Sequence, residues 1–191
     1  MAEDLEGRVA IITGSAGGIG KALAEEMSSR GCYLVLADVN AELLEQTAAE
    51  LREAGARVEA RGLDVRDAAK VRELIEGTYR DLGRIDYLFN NAGINVCAEI
   101  RDTSLEDWNR LIDVNLRGVV HGIHAAYPLM REQGFGHIVN TASAAGLIPA
   151  AAEGAYAATK HALVGLSESL RIEAESFGVK VSCLLYTSDA A

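Results

Sequence analysis

The sequence predicts one α/β domain: a doubly wound parallel sheet with helices on both faces, three αβα layers in all. Three observations support this. Short, near-continuously apolar runs recur along the chain, as suits strands buried on both faces. Amphipathic stretches of helical period separate them, as parallel crossovers require. A glycine-rich segment, "TGSAGGIG", lies where the first run gives way to the first helical stretch.

In chain order, "RVAIITG" reads as the first strand, and Ile19, Leu23 and Met27 mark the helix after it. "CYLVLAD" is the second strand, followed by a helix on Leu43, Leu44, Thr47, Ala48 and Leu51 that Gly55 closes. "RVEARGLDV" comes next, then a helix carrying Val71, Leu74, Ile75 and Thr78 that stops near Gly83. "IDYLFNNAG" is the fourth strand. Ser104 and Asp107 form a capping-box pattern that opens a long helix to about Gln133. "GHIVNTAS" is the fifth strand, and a helix beginning at "GAYAATK" runs to Gly178. "VKVSCLL" is the sixth strand, read as apolar and buried.

At 191 residues, 49% hydrophobic and with 2 prolines, the chain is long enough for one core and too short for two ordinary domains. A net charge of −10 argues against nucleic acid or an anionic membrane surface as partner. No apolar run approaches the ~20 residues that cross a bilayer. The acidic start "MAEDLEGRVAIITG" carries no secretory h-region, so the expected compartment is cytoplasmic. Cys32, Cys97 and Cys183 lack CxxC spacing and are expected to be small apolar packing residues. His121, His124, His137 and His161 show no ligand spacing, and no metal site is expected.

The chemistry concentrates in three places. Glycines between a strand and a helix let the backbone approach a pyrophosphate, whose charge rests on free amides at the helix N-terminus. Two spacings are open here: Gly14, Gly18 and Gly20 read GxxxGxG, while Gly14, Gly17 and Gly20 read GxxGxxG. Asp38 ends the second strand, where a carboxylate accepts bonds from both adenosine ribose hydroxyls and repels a 2′-phosphate. Val39 follows it, and neither Arg nor Lys precedes Gly18 in the loop, which favours NAD over NADP. Tyr156 and Lys160 stand i, i+4 on a helix, so the ammonium can lie beside the phenol. Lowering a phenol pKa of about 10 by ~2 units takes ~3 kcal/mol, which a lysine and an oxidised nicotinamide together can supply. Ser143, ending the fifth strand, could hold a substrate oxygen beside that Tyr.

With these motifs the chain resembles the short-chain dehydrogenase/reductase family in its compact single-domain form, from about Leu5 to Ser182. "TGSAGGIG" resembles the cofactor loop, and "LDV" at Leu63 to Val65 the adenine contact. "NNAG" at Asn90 to Gly93 resembles the segment beneath the cofactor and favours the GxxxGxG reading. Asn115, Ser143, Tyr156 and Lys160 match the catalytic quartet, including the step of 13 residues from Ser143 to Tyr156. The resemblance implies a Rossmann-type fold and a cofactor set of Gly14, Ser15, Gly18, Ile19, Gly20, Asp38, Asp64, Val65, Asn91, Ala92 and Gly93, with Tyr156 and Lys160. It implies hydride transfer between a secondary alcohol or ketone and the nicotinamide of NAD, with Tyr156 as acid/base. Lys160 would lower the Tyr pKa, and Asn115 would hold a water linking Lys160 to solvent. A homo-oligomer, dimer or tetramer, is implied through the helices from Ser104 to Gln133 and from Glu153 to Phe177. Ile94, Val96, Leu147, Ile148 and Ala152 near the pocket hint at a hydrophobic substrate. A dinucleotide-binding regulatory protein without turnover is the alternative.

The last nine residues, Cys183 to Ala191, match the translation of a sequencing-library adapter residue for residue. The expected division is therefore a dinucleotide-binding oxidoreductase domain over 1–182, incomplete at its C-terminus, and a non-native tail over 183–191. On that reading the chain is an inactive or weakly active, poorly soluble fragment with an exposed final strand.

Overall fold

Six strands, with six α-helices between them, make up residues 5–185, the part described by the computed structural model. The strands are β1 (Val9–Thr13), β2 (Tyr33–Asp38), β3 (Arg57–Gly62), β4 (Tyr87–Asn90), β5 (Gly136–Thr141) and β6 (Val179–Leu184). All pair in parallel in the order β3-β2-β1-β4-β5-β6. The helices are α1 (Gly18–Ser29), α2 (Ala41–Glu53), α3 (Ala68–Leu82), α4 (Leu105–Ile112), α5 (Gly118–Gln133) and α6 (Gly154–Glu175). Among the described residues no helix is long and apolar enough to cross a membrane.

Every side chain of β1 is buried, because it runs mid-sheet between two layers. On one face Ala24, Met27, Leu44 and Leu51 of α1 and α2 pack on Ala10, Ile12, Leu34 and Leu36. On the other, Val71, Ile75, Ala126, Met130 and Leu170 of α3, α5 and α6 pack on Ile11, Val35, Leu88, Ile138 and Val181. Each Leu or Ile fully removed from water contributes about 1.5–3 kcal/mol, which is what holds three layers together. The chain leaves β1 toward β2 and re-enters the sheet at β4 on the other side. Between β1 and β4 the connections diverge, opening a crevice at the carboxyl ends of the strands.

Local signals set the helix ends. Asn40, Asp67 and Ser104 accept amides of the first turns of α2, α3 and α4. Ser104 also donates to Asp107 Oδ2 at 2.7 Å, so the box closes side chain to side chain. Gly83 ends α3 at φ 72°.

Four expectations change. The helix expected from Ser104 to Gln133 is interrupted by a π-helical segment, Asp113–Arg117, between α4 and α5. An inserted residue re-aims the side chains of such a turn without ending the helix, and Asn115 lies within it. Of the residues marking α1, Met27 is buried while Ile19 and Leu23 are only partly so, and Gly20 and Ala24 complete the buried face. A Cβ on Gly20 would stand 2.0 Å from Gly14 O, so the closest-packed line of α1 is made of small residues. β6 alternates: Val179 and Val181 are buried while Lys180 and Ser182 are exposed, as fits an edge strand. Cys97 is exposed, whereas Cys32 is a buried packing residue and Cys183 half-buried. Of the terminal nine residues, Cys183 and Leu184 pair with Asn140 and Thr141; residues 186–191 lie outside the described part.

Candidate active site

The glycine loop sits at the mouth of the crevice. Gly14 takes φ 65° and Gly18 φ 53°, a region that disfavours any side chain, whereas Gly17 is extended at φ −165°. The residues that must be glycine are therefore Gly14, Gly18 and Gly20, which supports the GxxxGxG spacing. A Cβ on Gly14 would meet Ala92 Cα at 2.7 Å, so the loop lies directly on the "NNAG" turn. α1 begins behind Gly17 with no side-chain cap, leaving its first amides for an anion.

Polar side chains pin this loop from beneath. Thr13 Oγ1 accepts the amides of Asn91 and Ala92 at 3.0 and 3.1 Å. Asn91 Nδ2 donates to Thr13 O and Gly14 O, and Asn91 Oδ1 accepts from Thr141 Oγ1. Behind them, Asn90 Nδ2 donates to Asn140 Oδ1 and Asn140 Nδ2 to Ser167 Oγ, both at 2.9 Å. Ser15 is buried and its hydroxyl donates to Ala37 O. Asp38 accepts from Ala16 N at 3.0 Å and Asn40 N at 2.9 Å, joining the end of β2 to the loop. A carboxylate has room for about four such bonds, so acceptor positions remain.

Two adjoining clefts share Gly14, Asp38, Ala92, Gly93 and Ile94. One, about 430 Å³, runs past Gly17, Ile19 and Asn95 to Tyr156 and Lys160. The other, about 360 Å³, is walled by Val39, Asp64, Val65, Arg66, Arg110 and Val114. There the Arg66 guanidinium grips both oxygens of Asp64, at 2.6–3.0 Å, and holds that carboxyl below the usual carboxylate range. His121 reaches from α5 to Val65 O at 2.9 Å.

At the other end, Lys160 is 4% exposed and its Nζ donates to Thr141 O at 2.7 Å. Burial lowers its pKa to about 8, with Cys183 opposing that slightly. The ammonium lies 5.4 Å from the centre of the half-buried Tyr156 ring. Ser143 is buried and its Oγ accepts Ala145 N at 3.2 Å, capping a short 3-10 turn. A hydroxyl that accepts there keeps its proton for another partner. Asn115 is fully buried; Oδ1 accepts Ile94 N, and Nδ2 donates to Ile94 O and to Thr159 Oγ1. Both amide protons are thus spent on protein, so the side chain is a brace between the Gly93–Ile94 turn and α6.

Of the site residues marked from sequence, Gly14, Ile19, Asp38, Asp64, Val65, Asn91, Ala92, Gly93, Tyr156 and Lys160 line the two clefts, whereas Ser15, Gly18, Gly20, Asn115 and Ser143 line neither. Sequence reasoning missed Thr13, Thr141 and Thr159, which fix the marked residues, and Arg66, Arg110 and Leu43, which wall the clefts. The signal for Thr13 and Thr141 was faint but present: each is a polar residue ending an apolar strand, where a buried hydroxyl needs a partner.

The family model described as short chain dehydrogenase matches residues 8–187. The chain belongs to that family. A levodione reductase of Leifsonia aquatica is 36% identical over 180 residues, which cover 93% of this chain and 67% of that protein. A family member from Burkholderia phymatum, solved with NAD, shares 40% identity at a TM-score of 0.91. The match covers 97% of this short-chain dehydrogenase and 66% of that chain, so the sequence spans about two thirds of its length. A metagenomic short-chain oxidoreductase solved with NADP shares 33% identity at a TM-score of 0.92, covering 96% of this chain and 83% of that one. Those two neighbours thus hold NAD in one case and NADP in the other. The residues present fit such a cofactor: a loop that only glycine can form, an uncapped helix N-terminus facing it, and a carboxylate at the end of β2.

Proposed function

We propose that this protein is an NAD-dependent oxidoreductase acting on a secondary alcohol or its ketone, with Tyr156 as general acid/base. The reading is carried by Tyr156 and Lys160 lining the same cleft as the glycine loop and Asp38. Gly14, Ser15, Gly18, Ile19 and Gly20 would hold the pyrophosphate side, Asp38 the ribose, and Asp64 and Val65 the adenine. Asn91, Ala92, Gly93, Tyr156 and Lys160 would hold the nicotinamide half. The bound nicotinamide supplies the hydride acceptor for oxidation and the donor for reduction. Tyr156, as phenolate, takes the hydroxyl proton as the substrate C–H bond breaks and C=O forms. Ser143 donates its remaining proton to the substrate oxygen. Lys160 stabilises the phenolate, and Asn115 fixes the Gly93–Ile94 turn facing them. Asp38, with Val39 beyond it, argues for NAD over NADP.

The substrate is a small molecule with an apolar body, on the strength of the exposed Leu147 and Ile148 that follow Ser143. The compartment is the cytoplasm and the working form a homo-oligomer. Tyr156→Phe tests the reading. Turnover of a panel of secondary alcohols with NAD should fall by about 10²–10⁴, with NADH affinity unchanged. Unchanged turnover refutes acid/base work by Tyr156 and favours a dinucleotide-binding regulator.

A further inference from the structure

Residues 95–100 lie alongside residues 152–154, and the contacts between them are unlike those of a passive loop. Asn95 Nδ2 donates to Glu153 Oε1 at 2.7 Å, and Ala98 N donates to Ala152 O at 2.7 Å. A Cβ on Gly154 would stand 2.9 Å from Ile100 Cγ1, so the Ile100 side chain lies directly on the Gly154 backbone. Ala152 has φ 60°, the one non-glycine residue with positive φ among the described residues. Such a conformation persists where surrounding bonds over-determine it. Glu153 occupies the N-cap position of α6 yet makes no side-chain cap bond. Its carboxylate reaches instead to Asn95, which itself lines the cleft holding Tyr156 and Lys160.

We propose that Asn95, Ala152 and Glu153 are positioning residues, forming a clamp that fixes the start of α6, and so the Tyr156 phenol, against the Gly93–Asn95 wall of the cleft. The proposal rests on the acid/base reading of Tyr156. Ala98–Ala152 and Asn95–Glu153 cross between the segment after the "NNAG" turn and the segment three residues ahead of Tyr156. Asn91 and Ala92 of the cofactor cradle are held independently, from Thr13. The clamp therefore acts on the geometry of proton transfer more than on nucleotide affinity.

The test uses the full chain with NAD and the best alcohol of the panel for turnover, and with NADH for binding. Asn95→Leu and Glu153→Leu should each lower kcat about tenfold with the NADH Kd within about twofold. The double variant should be no worse than either single one. Glu153→Gln, which keeps an acceptor for Asn95, should restore kcat to near the parent. Amide exchange supplies a readout independent of turnover. In Asn95→Leu the Ala98 amide should exchange about threefold to tenfold faster, while the Asn91 and Ala92 amides hold. Additive losses of kcat, or kcat and NADH affinity falling together, overturn the proposal, and so does an unchanged Ala98 amide. Should the parent bind NADH yet turn over no substrate, as the fragment expectation holds, the exchange result alone decides whether the clamp exists.

Discussion

Replacing Lys160 by Met should make the protein less sensitive to pH, in a direction fixed by its burial. The ammonium is 4% exposed and burial lowers its pKa from 10.5 to about 8. A lysine whose folded pKa lies below its unfolded value is held in its charged form at a cost to folding. That cost is complete below about 8 and disappears as pH rises past the unfolded value. The interval from 10.5 to about 8, at about 1.4 kcal/mol for each pH unit, sets a cost of about 3 kcal/mol. Urea unfolding of the parent and of Lys160→Met, from pH 7 to 10, gives the parent-minus-variant stability difference. It should rise with pH by about 2–3 kcal/mol. Thr141 O loses its donor in the variant, but that loss is the same at every pH and drops out of the slope. A flat difference curve, or one that falls with pH, would refute the assignment of a destabilising buried ammonium held for function.

Three other changes test the site from different sides. Asp38→Asn should raise the KM for NAD about tenfold or more, since a charge-assisted acceptor is lost, and should narrow the preference over NADP; an unchanged ratio of the two cofactors excludes Asp38 from ribose recognition. Gly20→Ala would push a methyl to 2.0 Å from Gly14 O, so it should cost about 1–3 kcal/mol, lower the Tm and weaken NADH binding; a parental Tm would show that α1 can move. Asn140→Leu strands Asn90 Nδ2 and Ser167 Oγ in the interior, at about 2–4 kcal/mol, read as a lower urea midpoint with an unchanged m-value.

The alternation of apolar runs with helical stretches determined the parallel sheet, because a strand buried on both faces has no polar side to show. Individual residues named the site wherever the chemistry admits few substitutes: a φ near 60° at Gly14 and Gly18, a carboxylate at Asp38, a phenol and an amine four residues apart. The capping signal at Ser104 was legible for a similar reason, since it satisfies an amide three residues from itself.

Only the tertiary structure decided what depends on partners far apart in the chain. The π-helical turn at Asn115 exists to meet Ile94 and Thr159, 21 and 44 residues away, and no local pattern encodes that. The start of the buried line of α1 follows the nearness of Gly14 O, so glycine stands at position 20 where periodicity marks Ile19. Thr13, Thr141 and the asparagine chain became visible as supports once four strand ends met. The clamp of Asn95 on Glu153 spans 58 residues, and Glu153 reads in sequence as an ordinary exposed acid ahead of a helix. Local sequence fixes what each residue can do; which residue it does it to is set by the long-range packing that brings strand ends and loops to one crevice.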